Sequence, residues 1–217
     1  MTSTPPTLRR FLERPPPPRA GERCEICGEL IADVHGHVVE VDKRRLMCTC
    51  RPCALLFSNP GAGRGRFRLV PERFLSAPEF RLSHSVWEQL AIPVSLAFFF
   101  RNSTIDRVVC FYPSPAGATE SLLAMDHWQE VMADNPLVGL LEDDVEGLIV
   151  RRIDDGCITY LAPIDSCYEL VGHVRMNWRG FDGGTEAWER IDAFFNELAE
   201  RSTPVEAAEQ GSTPVDA

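Results

Sequence analysis

The sequence predicts an α+β protein, in which a small zinc-ribbon or rubredoxin-like metal unit precedes a mostly antiparallel sheet with at least two helices. Three observations predict it. Two Cys-x-x-Cys pairs, Cys24/Cys27 and Cys50/Cys53, are separated by 22 residues. At that spacing, two short loops each bring two soft donors to one tetrahedral metal. Runs rich in β-branched and aromatic residues recur between turn signals through residues 92–162. Finally, Trp188, Ile191, Phe194, Phe195 and Leu198 repeat at three- and four-residue steps, the period of a one-sided helix.

In chain order, residues 1–22 hold six of the 17 prolines, four of them consecutive from Pro15. Proline fixes φ and removes an amide donor, so this arm reads as an extended or disordered tail. The metal unit is expected over residues 23–57. Gly28 follows the first pair, where a tight turn of amides toward sulfur suits a residue without a Cβ. Residues 37–41 (HVVEV) read as a strand, residues 42–45 as a turn, and Leu46 and Met47 as the return. This is a hairpin with a cysteine knuckle at each end. Leu55, Leu56 and Phe57 are expected to bury against the body. Residues 58–73 form a glycine-rich linker with a short strand at 67–70. Its SNPGAGRGR loop lacks the Gly-Lys-Ser/Thr ending of a phosphate loop.

The body is expected over residues 74–201. Residues 92–101 and 108–112 read as buried strands joined by a loop at 102–106. Residues 119–132 read as a helix. An acidic run of Glu142, Asp143, Asp144 and Glu146 follows, and the paired carboxylates at Glu142–Asp144 and Asp154–Asp155 read as solvated turns. Residues 148–153 and 158–162 form a hairpin through Asp154-Asp155-Gly156. Residues 167–178 read as a further strand, and residues 185–201 as a helix capped by Thr185. From Ser202 the chain repeats Ser-Thr-Pro-Val, and residues 202–217 read as a disordered tail.

Charge is divided between the two halves. Residues 1–73 carry 13 Lys or Arg against 8 Asp or Glu, a net of +5, and residues 74–217 carry 9 against 24, a net of −15. A strongly acidic body opposes general nucleic-acid binding, which draws on phosphate neutralisation. It suits a protein partner. The longest apolar run is half of what a bilayer crossing needs, and no secretory signal is apparent. The expected compartment is therefore the cytoplasm, where clustered thiols act as metal ligands rather than disulfides.

Cys24, Cys27, Cys50 and Cys53 are the expected ligands. Zinc is the expected metal, with iron in a rubredoxin-like site as the alternative, because the ligand set is the same. Cys48 is a possible alternative ligand, replacing Cys50, and otherwise a core residue. His35 and His37 are spaced like ligands but read as surface or hydrogen-bonded structure. Cys110, Cys157 and Cys167 read as buried and inert. Cys167 and His173, six residues apart on one expected strand, would stand roughly 20 Å apart and could not pair. No Ser-His-Asp, nucleophile-elbow, dinucleotide or Walker pattern is present, so the reading is non-enzymatic. A zinc-ribbon nucleic-acid regulator, suggested by Lys43, Arg44, Arg45, Arg51, Arg64, Arg66 and Arg68, is a further alternative that the acidic body opposes.

Two segments carry a resemblance. One is CEICGE…CTCRPCALLF with the glycine-rich loop and RFRLVP. The other is LAPIDSCYELVGHVRMNWRGFDGG ahead of the Trp- and Phe-rich helix. Together, over roughly residues 22–200, they resemble an uncharacterised actinobacterial family, a domain of unknown function encoded near NiFe-hydrogenase structural and maturation genes. The resemblance implies an accessory protein for hydrogenase assembly or electron transfer, whose partner is a hydrogenase subunit or maturation factor. It supplies no catalytic residues.

Overall fold

The computed structural model describes residues 21–59, 61–82, 84–90, 92–114, 117–121, 135–154, 156–179 and 183–205. Residues 1–20 and 206–217 of the expected tails at 1–22 and 202–217, and the expected helix at 119–132 beyond Ser121, lie outside the described residues. Thr119 and Glu120 themselves belong to a strand.

Two sheets make an α+β fold. The first has three antiparallel strands in the order β2-β1-β3, with β1 at Gly36–Glu40, β2 at Arg45–Thr49 and β3 at Phe67–Leu69. The chain turns from β1 to β2 through a single helical turn, Val41–Lys43, that Arg44 ends in a left-handed conformation (φ 50°). A short helix, α1 (Arg51–Leu55), follows β2 directly.

The second sheet has seven strands in the order β10-β4-β9-β8-β5-β6-β7. They are β4 (Leu75–Ser76), β5 (Leu96–Asn102), β6 (Arg107–Ser114), β7 (Gly117–Glu120), β8 (Glu146–Ile153), β9 (Gly156–Pro163) and β10 (Thr203–Pro204). Every pairing is antiparallel except β10 on β4. β10 lies inside the tail expected from Ser202. The amides of Thr203 and Val205 bond to the carbonyls of Phe74 and Ser76, at 3.0 and 2.8 Å, so the sheet edge orders the start of that segment.

Both faces of the long sheet are covered. Leu96, Phe98, Phe100, Ile149, Tyr160 and Ala162 face α3 (Ile164–Asn177) and α4 (Gly184–Arg201). Ala97, Phe99, Leu148, Val150 and Leu161 face Phe80, Leu82, Trp87, Leu90, Ile92 and Leu137 on the other side. Burial of both faces explains why LAFFF and GLIV are continuous apolar runs rather than alternating ones. Trp87 sits on the short α2 (His84–Gln89).

Of residues 167–178, expected as a strand, all but the C-cap Trp178 belong to helix α3. Ile164, Cys167, Leu170 and Val174 are all buried, and their three- and four-residue steps carry the helical period. The β-branched and aromatic content of the segment masked that period. On a helix, Cys167 and His173 are separated by about 9 Å along the axis and point to different sides, so they still do not pair. α4 starts one residue before the expected cap, with Gly183 rather than Thr185 at its N-cap.

The acidic run is a turn and is solvated only in part: Glu142 is exposed and Asp143 half-buried, but the carboxylates that follow are not. Glu146 is fully buried and Asp144 is buried. Arg73 grips Glu146 with two nitrogens, Nε at 2.6 Å and an η nitrogen at 2.7 Å, and the Glu142 amide donates to the same carboxylate at 2.9 Å. Asp144 accepts from the Ser103 amide at 2.9 Å and from its hydroxyl. Buried carboxylates persist only when so paired. Here the pairs tie residues 58–73 to the body, because Arg68 also bonds to the Asp143 carbonyl.

The two sheets share apolar packing. Val39, Val41 and Val70 lie in the same buried cluster as Phe98, Ile149 and the residues of α3 and α4. Among the described residues, no helix is long and apolar enough to cross a membrane.

Candidate metal centre

The first cysteine pair sits on a tight turn. The Gly28 amide bonds back to the Cys24 carbonyl at 2.8 Å, and the Cys24 amide bonds to the Glu29 carbonyl at 2.8 Å. Gly28 has φ 77°, a left-handed conformation that glycine adopts without a Cβ penalty. Beyond the turn the chain closes on itself through an isolated bridge between Arg23 and Leu30.

The second pair is placed differently. Cys50 is the N-cap of α1 with extended backbone (φ −70°, ψ 155°), and Cys53 lies in the first turn of that helix. Pro52 occupies an early position, where its missing amide costs nothing. The chain therefore presents one knuckle, a hairpin and a helix start, rather than a knuckle at each end of the hairpin. Glu25 joins the two parts. Its amide bonds to the Cys48 carbonyl at 2.9 Å, and its Oε1 accepts from the Cys48 amide at 2.9 Å.

The sulfurs of Cys24, Cys27, Cys50 and Cys53 all lie within 4.8 Å of one another, a group that can hold a metal ion. Cys27 and Cys50 sulfurs are 3.7 Å apart. Four thiolates bound tetrahedrally at about 2.3 Å have sulfur–sulfur edges of roughly 3.8 Å. Cys24 and Cys53 are buried, and Cys27 is exposed. The electrostatics suit a cation. Burial pushes the Cys24 thiol up, but amides of Cys50, Cys27 and Ile26 outweigh burial and bring it down to about 6. Cys53 is pushed up to about 12 by its bond to the Cys50 sulfur, by burial and by the other thiols. One thiolate is favoured and the next resisted, and a bound divalent cation reverses that resistance.

Cys48 belongs to a different group. It lies with His35 and His37, and one donor atom from each of the three lies within 4.8 Å of the others. His37 faces Cys48 directly across β1 and β2. Of the expected surface or hydrogen-bonded setting, the hydrogen-bonded one holds for both histidines, through the Ala32 carbonyl and Asp165, and the His35 side chain is only 9% exposed. Sequence reasoning noted the histidine spacing but had no signal for the burial. The remaining cysteines, Cys110, Cys157 and Cys167, are buried in the long sheet and α3. Burial pushes Cys110 up to about 12 and raises Cys157 and Cys167 as well, which favours the thiol over the thiolate.

The surface beside the centre is apolar. Leu55 and Leu56, expected to pack on the body, are 53% and 64% exposed, and Val34 is 94% exposed. Phe57 instead packs on Phe67, with ring centroids 5.1 Å apart. Leu30, Val34 and Leu55 line a groove of about 680 Å³, with His35, His37 and Cys50 among its other walls. Single exposed apolar residues need no explanation, whereas several around one groove make a candidate contact surface.

The chain matches the Family of unknown function (DUF5947) over residues 23–202, and it belongs to that family. No curated protein and no solved structure matches it.

Proposed function

We propose that this family member is a non-enzymatic zinc-binding accessory protein that works through protein–protein contacts. The observation that carries the reading is the convergence of the sulfurs of Cys24, Cys27, Cys50 and Cys53 beside the exposed apolar groove. Four thiolates close the tetrahedron and leave no position for a substrate, as in structural zinc sites. Zinc is preferred over rubredoxin-like iron because Ala54 follows Cys53 within a helix, where a rubredoxin-like knuckle would carry a glycine in a turn. The unit would hold the groove in shape for a partner that inserts an apolar side chain, and Leu55 and Leu56 would form its edge. The partner fitting the resemblance of the two quoted segments is a NiFe-hydrogenase subunit or maturation factor.

Metal analysis of native protein from iron-replete cells should find zinc in colourless protein, with the equivalent held by the four cysteines lost on Cys24→Ser. Red iron-loaded protein would support electron transfer instead. In the native host, deleting the gene should lower hydrogenase activity or cofactor loading, and Leu55→Ser/Leu56→Ser should reproduce that loss with stability unchanged. Hydrogenase activity that is unaffected by the deletion removes the assignment of the partner.

A further inference from the structure

The hairpin carries a second set of donors that the four-cysteine centre does not use. His37 lies opposite Cys48 in the β1–β2 register. His35, just before β1 and two positions before His37, brings its ring to the same side of the hairpin. The two imidazole centroids are 4.7 Å apart. A ring nitrogen from each and the Cys48 sulfur lie within 4.8 Å of one another.

Both rings are fixed from behind. His35 Nδ1 is 2.9 Å from the Ala32 carbonyl oxygen. His37 Nδ1 is 2.7 Å from Oδ2 of Asp165, which reaches across from the first turn of α3. A carbonyl and a carboxylate only accept, so Nδ1 carries the proton in each ring. In the neutral imidazoles the lone pair is then on Nε2. An imidazole held through its other nitrogen by a carboxylate or a carbonyl is the arrangement that orients a metal-ligating histidine.

His35 Nε2 is the unexplained atom. It is buried and makes no hydrogen bond, in a side chain only 9% exposed. The Glu22 carboxylate, at 3.7 Å, is too far to bond to it. Buried polar atoms without a partner are uncommon and call for one.

We propose that His35, His37 and Cys48 form a second metal site, distinct from the four-cysteine centre, that takes a divalent cation of the zinc class through two imidazoles and one thiolate. The donor set matches that class, because imidazole and thiolate are the ligands zinc prefers over oxygen. Binding releases the thiol proton of Cys48 to solvent, and the cation with one thiolate keeps a single positive charge. The exposed Glu22 carboxylate at the rim balances that charge. Three protein donors leave a fourth position free. The groove that both histidines line, with Asp165 on its wall, gives that position access to an exchangeable ligand. The hairpin thus holds one closed centre and one open centre, whose ligands Cys50 and Cys48 are two residues apart.

Cobalt(II) is the probe, titrated into the reduced, metal-free full-length chain and followed by absorption. The wild type should take two equivalents, one with the intense charge-transfer bands of a thiolate-rich site. Cys48→Ser and His37→Ala should each take one, with those bands intact and circular dichroism unchanged. Asp165→Asn should keep two equivalents but weaken the second by about 10–100-fold. Two equivalents in both Cys48→Ser and His37→Ala would overturn the proposal. So would a single wild-type equivalent that survives Cys48→Ser. A single equivalent lost in Cys48→Ser but kept in Cys24→Ser supports the second site and rejects the four-cysteine one.

Discussion

Replacing Gly147 by alanine tests how tightly α3, and with it Asp165, is seated on the long sheet. Gly147 lies on β8, and an added Cβ would stand 2.5 Å from the Cys167 sulfur. Non-bonded heavy atoms rest at about 3.5–4.0 Å, so the sulfur must retreat by about 1 Å. It has little room, because Cys167 is fully buried and so are Ile164, Leu170 and Val174 around it. In a helix its alternative rotamers are restricted. Overpacking of this kind costs about 1–3 kcal/mol, which for a chain of this size lowers Tm by roughly 2–12 °C. The other contacts of the new Cβ, Phe99 oxygen at 3.6 Å and Ile164 Cδ1 at 3.8 Å, are ordinary. The sulfur is therefore the whole obstacle, and Cys167→Ala should remove it. Urea and thermal unfolding of the wild type, both single variants and the double variant form a mutant cycle. The expected coupling is favourable by about 1–2 kcal/mol. Strict additivity, or a Gly147→Ala variant as stable as the wild type, would refute the reasoning. Cys167 lies two residues from Asp165, so Gly147→Ala should also weaken the second cobalt equivalent.

The remaining predictions concern charge and metal. Arg73→Met leaves Glu146 buried without its cation. The cost should be about 2–3 kcal/mol, below that of a fully buried pair because the guanidinium is 40% exposed; a urea midpoint unchanged within error would contradict it. The Glu40 carboxyl lies below its ordinary 4.5 because Arg66, then Lys43, bond to it. A depressed carboxyl contributes stability above its unfolded value and loses it as pH falls through the folded one. The stability gap between wild type and Glu40→Gln should thus be flat near neutrality and close below about pH 4.5; an equal gap at both extremes would argue against the pairing. A chelator strong enough for zinc should lower Tm by more than Gly147→Ala does, since metal binding to a structural site is folding free energy. Scanning calorimetry with no shift would deny the centre a structural role.

Much of the fold could be read from local pattern. The strands around LAFFF and the hairpin at Asp154-Asp155-Gly156 follow from β-rich runs and a turn dipeptide. Helix α4 follows from its apolar steps. Helix α3 did not, because Cys167, Tyr168, Val171 and Val174 are strand-rich residue types. Their commitment to a helix comes from packing on α4 and on β6, β7, β8 and β9. The burial of Asp144 and Glu146 was equally hidden, since a run of acids reads as solvated until an arginine more than 70 residues away, such as Arg73, is known to meet it.

The sequence by itself determined the two cysteine pairs, because a fixed two-residue spacing on a short loop brings two sulfurs together, while the hairpin and Glu25 bring one pair to the other. Tertiary structure decided what lies beside them. His35, His37 and Cys48 converge only because β1 and β2 pair in one register, and His37 is aimed only because α3 delivers Asp165 from 128 residues away. Such long-range placement depends on how sheets and helices pack, a property that no short stretch of chain carries.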